Sequence, residues 1–176
     1  SALAEQLGGE VKLYFYHFPQ QTTVPLTLRL IERLLYRYPD VFKGIKDSSA
    51  DYDNTLALIN NFSSEGFEVY SGADASFAQV MKAGAAGCIT ATTNIASPLT
   101  AFIFKNYDNA DGLEAQATLA QLRKVVAMGD TIPAVKALLA YKSNDPSWEN
   151  IRPPLRTLPV NVQRDLIAAY RPLFAQ

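Results

Sequence analysis

The 176 residues include one cysteine, one histidine, one tryptophan and two methionines. A single thiol excludes an internal disulfide, and with one imidazole beside it the chain offers almost no soft ligands for a transition metal. No metal and no cofactor are expected, and a reducing, cytoplasmic setting fits. Charge of one sign is lacking too: 16 Lys and Arg against 17 Asp and Glu leave a net charge of −1. That balance gives no electrostatic basis for gripping nucleic acid or an anionic membrane. No stretch approaches the roughly 18 consecutive apolar residues that span a bilayer, and the first residues lack the basic-then-apolar order of a signal peptide. Low-complexity tracts and internal repeats are missing as well. A small molecule is the expected partner.

What is present is a core. Apolar residues make up 48% and charged residues 19% of the chain, the balance of a globular domain. Residues 11–19 read as a strand that stops at Pro19. Pro25 opens an expected helix with Leu28, Ile31, Leu34, Leu35 and Tyr38 at three- and four-residue spacing, ended by Pro39. A strand over 41–46 follows, then a helix over 51–62 with Tyr52, Leu56 and Ile59 on one face. After Gly66 come a short strand over 67–70, a helix carrying Phe77, Val80 and Met81 that Asp74 can cap, and a strand over 87–90. Strand and helix thus alternate four times, which argues for parallel βα units. Beyond Asn94 only helices are expected, over 97–107, 111–128, 133–141 and 161–175, the last interrupted at Pro172.

Two residues carry chemistry. Lys46 closes the second strand, where an amine in a partly dry pocket can attack a ketone and form a Schiff base. Tyr16 ends the strand one βα unit upstream. A right-handed crossover lays such strands side by side, so its phenol is expected in the same mouth, as a proton relay. The bland readings are a solvated surface lysine and an aromatic core residue.

Tyr16-His17-Phe18-Pro19 resembles the Tyr-Asn-x-Pro motif of the dihydrodipicolinate synthase / N-acetylneuraminate lyase family. Gly44-Ile45-Lys46-Asp47-Ser48-Ser49 resembles that family's lysine motif, Ser71-Gly72-Ala73-Asp74 its turn after the seventh strand, and residues 84–96 its eighth-strand segment. The order and spacing agree over nearly the whole chain, but the likeness is to the carboxyl-terminal part of such an enzyme only. It implies an α/β fold, a (β/α)8 TIM barrel. Residues 1–96 would supply about the last four βα units, and 97–176 the last barrel helix and a helical appendage. The opening residues 1–9, read as the end of a helix stopped by glycine, agree with a fragment or a genuine half-barrel. Exposed strand edges would then need a cover, for which the missing amino-terminal half is preferred over self-association.

By resemblance Lys46 is the imine-forming lysine of a class I aldolase or lyase acting on pyruvate or a pyruvate-derived 2-oxo acid, and Tyr16 the relay. Gly72 and Asp74 are candidate substrate contacts or merely turn and cap. Ile89 would offer a backbone carbonyl to the pyruvoyl group while its side chain packs in the core. His17 stands where the family has asparagine and is expected to hydrogen-bond behind the site. Asp47 and Ser48 are expected to orient the lysine, Cys88 to pack, and Asn94 to cap a helix. The family's paired threonines for the substrate carboxylate have no counterpart here. Gln21 occupies the place, five residues past the tyrosine, where dihydrodipicolinate synthases carry an arginine. An amide suits the hydroxyls of a 2-keto-3-deoxy sugar acid better than the carboxylate of aspartate semialdehyde. The alternatives are dihydrodipicolinate synthase proper, a 2-keto-3-deoxy acid dehydratase, and a non-catalytic half-barrel serving as a binding module. The resemblance also implies a homo-oligomer, dimer or tetramer.

Overall fold

The structure is a computed structural model that describes residues 2–7 and 11–174. The expected glycine stop at Gly8 and Gly9 and the last residue of the final helix, Ala175, lie outside the described residues. The chain divides into two compact units, Ser1–Ile89 and Thr90–Gln176.

The first unit is an α/β layer. After α1 (Ala2–Leu7) come β1 (Leu13–His17), α2 (Pro19–Thr22), α3 (Leu28–Arg37), β2 (Phe42–Asp47), α4 (Tyr52–Phe62), β3 (Glu68–Ser71), α5 (Phe77–Lys82) and β4 (Gly87–Cys88). The four strands lie in the order β1-β2-β3-β4, every pair parallel. Parallel neighbours cannot be joined by a tight hairpin, so each connection carries a helix across one face of the sheet. Against that helical layer the strands turn Ile45 and Val69, both fully buried. Ile31, Leu58, Val80 and Phe77 come from the helices and are equally enclosed. Each such side chain contributes about 1.5–3 kcal/mol of hydrophobic stabilisation.

Two expectations about the helices shift. Pro25 does not open α3; Thr27 does, its hydroxyl accepting from the Leu30 amide at 3.3 Å. A hydroxyl beside an orphan helical N–H makes a better start than a proline two residues early. In α4 the buried face is Thr55, Leu58, Ile59 and Phe62, not Tyr52 and Leu56. Asp51 caps the helix by accepting from the Asn54 amide at 3.1 Å, and its place sets the rotation of the helix. Strand bounds move by one residue at β2 and β3, and β4 keeps only two of its four expected residues.

The second unit is all-helical: α6 (Thr93–Asn106), α7 (Ala110–Val126), α8 (Thr131–Ser143) and α9 (Val160–Phe174). In α6 the backbone leaves helical values at Ala96 (φ −136°, ψ 32°), two residues before Pro98. The helix expected to begin at Ser97 is therefore the second segment of a kinked one, since Pro98 has no amide hydrogen for the carbonyl four residues back and its ring crowds the preceding turn. Asn94 lies in the first segment and its amide donates to the Ala91 carbonyl at 2.9 Å, so it is not the cap expected of it. Leu119, Leu122 and Val126 face inward with Ile103, Leu138 and Leu166. α9 runs on through Pro172 as far as Phe174 without the expected interruption. Among the described residues no helix is long and apolar enough to cross a membrane.

Leu58→Ala should lower the stability of the first unit by about 2–5 kcal/mol, the cost of an uncollapsed cavity. Leu56→Ala should cost markedly less. Urea unfolding of both variants checks this, and equal losses would contradict the rotation of α4 described here.

Candidate active site

The register of the sheet decides which side chains meet. Tyr16 pairs with Lys46 and His17 with Asp47 across β1 and β2. Lys46 in turn pairs with Tyr70, and Asp47 with Ser71, across β2 and β3. Successive residues of a strand point to opposite faces. One face of the sheet therefore carries Tyr14 and Tyr16, Gly44 and Lys46, Glu68 and Tyr70 in rows, and the helix-covered face carries His17, Asp47 and Ser71.

Just past the strand ends the ladder continues by one bond at each step. Ser48 donates its amide to the His17 carbonyl at 2.8 Å, Gly72 to Asp47 at 2.7 Å and Ile89 to Ser71 at 2.9 Å. These bonds bring the four carboxyl ends into one row. Gly72 is needed for the close approach: a Cβ there would lie 2.8 Å from the Asp47 carbonyl oxygen. At the row's centre the Lys46 ammonium sits over the Tyr16 ring, 4.3 Å from its centroid. Such a cation–π contact holds the amine at the face of the phenol that it is expected to work with. The Tyr16 ring is 52% exposed rather than buried, and Lys46 is half-buried. β1 has no further strand on its outer side among the described residues.

Behind this pair lies a group the sequence does not announce. Asp47 is 1% exposed and its carboxylate accepts three hydrogen bonds, from the Ser49 amide (3.0 Å), the Asn54 side-chain amide (3.0 Å) and the Thr55 hydroxyl (2.7 Å), with His17 Nδ1 3.2 Å from Oδ1. Three donors, with the imidazole beside them, satisfy a buried carboxylate, which otherwise would cost several kcal/mol. His17 Nδ1 lies between Asp47 and the Asn54 side-chain amide, 3.4 Å away, while His17 Nε2 is buried with no hydrogen-bond partner among the described residues. His17 is buried on the helix-covered face, beside Asp47 and Asn54. Asp47, however, does not orient Lys46 directly. It faces the other way and ties β1, β2 and the start of α4 together. Asn54 and Thr55 went unnoticed because their role depends on the first turn of a helix meeting a strand end.

On the face of Lys46, one row deeper, Glu68 accepts from the Tyr14 hydroxyl at 2.7 Å and the Tyr70 hydroxyl at 2.9 Å. These bonds hold the carboxyl below its usual range. The same bond, with burial second, pushes the Tyr14 phenol up to about 12.

The remaining candidates are placed as follows. Asp74 is buried and opens a 3-10 turn ahead of α5. Ile89 stands one residue past β4 with 48% of its surface exposed, so its side chain is not in the core as expected. Cys88 packs: burial pushes its thiol up to about 12, and Asp74 adds to the rise, which leaves little thiolate. Gln21 is exposed on α2, free to meet solvent or ligand, whereas its neighbour Gln20 donates to the Ser49 carbonyl.

A sequence profile of the dihydrodipicolinate synthetase family matches residues 8–170. An uncharacterised DapA-like lyase of Chloroflexus aurantiacus is 34% identical over 175 residues, 99% of this chain and 58% of the relative. Among solved structures, dihydrodipicolinate synthase from Agrobacterium tumefaciens superposes with a TM-score of 0.85 at 23% identity, over 98% of this chain and 58% of that one. A 2-keto-3-deoxygluconate aldolase from Sulfolobus gives a TM-score of 0.82 at 22% identity, over 93% and 54%. The chain therefore spans little more than half the length of the proteins it matches.

Asp47→Ala strands His17, Asn54 and Thr55 without their acceptor and should cost about 3 kcal/mol or more in unfolding free energy. Asp47→Asn, which keeps part of the bonding, should cost less. A loss below about 1 kcal/mol for the alanine variant in urea titration would show that the network does not hold these elements together.

Proposed function

The chain belongs to the dihydrodipicolinate synthetase family, and on that premise we propose that it is the carboxyl-terminal half of a (β/α)8 barrel whose Lys46 forms an imine with a 2-oxo acid. The observation that carries this reading is the pairing of Tyr16 with Lys46 in one register row, with the amine 4.3 Å from the phenol's ring centre. The carboxyl ends of barrel strands are where such chemistry is built.

In this reading the neutral Lys46 amine attacks the 2-oxo carbon of pyruvate or a pyruvate-derived acid. The carbinolamine loses water, with Tyr16 delivering the proton to the departing oxygen. The protonated imine then accepts the electron pair of the bond between the third and fourth carbons as it breaks. The proton of the fourth-carbon hydroxyl leaves to Tyr16 and an aldehyde departs. Protonation of the remaining enamine and hydrolysis return pyruvate and the free lysine. Gly72, Asp74 and the backbone of Ile89 border this row of strand ends and are the proposed substrate contacts. The donors for the substrate carboxylate come from outside these residues.

Gln21 directs the choice of substrate. Neutral and exposed on α2, it lacks the planar cation that would clamp a second carboxylate, and its amide suits a polyhydroxylated chain. We therefore read the intact enzyme as an aldolase or lyase of 2-keto-3-deoxy sugar acids, working as a cytoplasmic dimer or tetramer.

Borohydride reduction in the presence of pyruvate should add a three-carbon unit to Lys46 and to no other lysine, as read by peptide mass mapping; an adduct elsewhere, or none, overturns the imine assignment. Supplied with 2-keto-3-deoxy sugar acids and, separately, with pyruvate plus aspartate semialdehyde, the intact enzyme should turn over the former at least about tenfold more efficiently in kcat/KM, a difference of about 1.4 kcal/mol in transition-state binding. The reverse preference would show that Gln21 does not set specificity.

A further inference from the structure

Tyr14, Gly44 and Glu68 form one row of the sheet, and Tyr16, Lys46 and Tyr70 the next, on the same face. Glu68 precedes Tyr70 by two residues, so its Cα lies roughly 7 Å along the strand from the row of Lys46. An acidic side chain on this face is unusual in a position that a barrel fills with apolar groups. Here it is also fixed. The hydroxyls of Tyr14 and Tyr70 converge on the same carboxylate oxygen at 2.7 and 2.9 Å, from the strands on either side of Lys46. The two rings meet edge to face, 6.2 Å apart, in front of Gly44.

Gly44 makes the arrangement possible. A Cβ at that position would fall 2.6 Å from Tyr14 Cε1, so any larger residue would push the ring off its path across β2. The glycine, the two tyrosines and the glutamate thus form one assembly directly beneath the lysine. Packing alone would be served by two phenylalanines and an aliphatic residue. The hydroxyls have the specific effect of lowering the pKa of Glu68 and so holding its charge.

We propose that Glu68, anchored by Tyr14 and Tyr70, is the counter-charge for the cationic forms of Lys46, the ammonium and the protonated imine. This rests on the imine reading given above. Glu68 is a positioning residue: it touches no reacting atom and acts through the charge on Lys46. An anion near the lysine favours its protonated states and so stabilises the electron sink through the whole reaction.

The other groups near Lys46 do not supply this charge; Asp74, buried in the turn after β3, acts on Cys88 beyond that strand. On the same face stand the neutral phenols Tyr16 and Tyr14 from β1 and Tyr70 from β3. On the opposite face Asp47 is engaged by His17 and by Asn54 and Thr55 of α4. Lys43 lies at the far end of β2, donating to the Pro39 carbonyl. Asp51, Tyr52 and Asp53 at the start of α4 are exposed. The Cys88 thiol next to β3 stays protonated.

The test measures, in the intact protein, the rate at which cyanoborohydride traps the pyruvate adduct as a function of pH. Glu68→Gln keeps the shape and removes the charge. Its acid-side midpoint should move to lower pH by roughly half a unit or more, because the ammonium form of Lys46 loses its anion. Tyr70→Phe leaves the carboxylate in place and deletes one of its donors, so its midpoint should not move down. A midpoint that stays put in Glu68→Gln, or falls equally in both variants, overturns the proposal and reduces the assembly to packing. Should Glu68→Gln fail to fold, a fall of the midpoint in Tyr70→Phe still overturns it. Absence of any adduct in the unsubstituted protein overturns the imine reading itself, an outcome distinct from an adduct whose pH dependence ignores Glu68.

Discussion

The site depends on one constraint, the in-phase parallel register of β1, β2 and β3. Because side chains alternate along a strand, a slip of a single residue between β1 and β2 would move Tyr16 to the helical face and leave Lys46 beside an imidazole. Three strands in phase instead put Tyr16, Lys46 and Tyr70 in one row and His17, Asp47 and Ser71 in the next, facing the other way. Chemistry and support are thereby separated onto the two faces of the same few residues. The bonds that extend the ladder past each strand end, from Ser48, Gly72 and Ile89, keep the exits of all four strands level.

What fixes that register is largely the second row. A buried carboxylate is tolerated only with its acceptor sites filled, and Asp47 fills them from β1, from its own following turn and from α4. Shifting any of these elements leaves a charge or a donor stranded in the interior. Ile45 and Val69 oppose a slip of one residue, which would turn them out of the core, but show no preference against a slip of two. The polar cluster adds that preference, since its bonds exist in one arrangement only.

The first row follows a different logic. It is open at Tyr16 and half-buried at Lys46, and polar beneath them at Tyr14, Glu68 and Tyr70. On the proposed imine role, Lys46 would be an ammonium, a neutral amine and a protonated imine in turn, and would be served by surroundings that accept each state. An exposed phenol on one side and a fixed carboxylate below provide them. Gly44 and Gly72 contribute by what they lack: each lets a neighbouring strand or ring approach to a distance that a methyl group would prevent.

Much of this was legible in the chain itself. Lys46 and Tyr16 lie at the ends of short apolar runs followed by turn residues, and the motifs around them placed the fold and the family. The helix-forming stretches of the second unit showed their inward residues, Leu119, Leu122 and Val126, by spacing alone. These are local signals, carried by residues close in sequence. The rotation of α4, the exposed side chain of Ile89, the kink at Ala96 and the start of α3 at Thr27 were not legible in advance, since each depends on which groups a neighbouring segment leaves unsatisfied. Asp47 shows the distinction most plainly. Sequence put it next to the lysine and so suggested that it acts on the lysine, but the pleat turns it to the opposite face. There it meets His17, Asn54 and Thr55, residues up to 30 positions away. The sequence by itself determined that a lysine and a tyrosine end adjacent parallel strands, because strand, turn and helix signals are short-range; only the tertiary structure decided what lies behind and beneath them, because those contacts are made by residues that folding alone brings together.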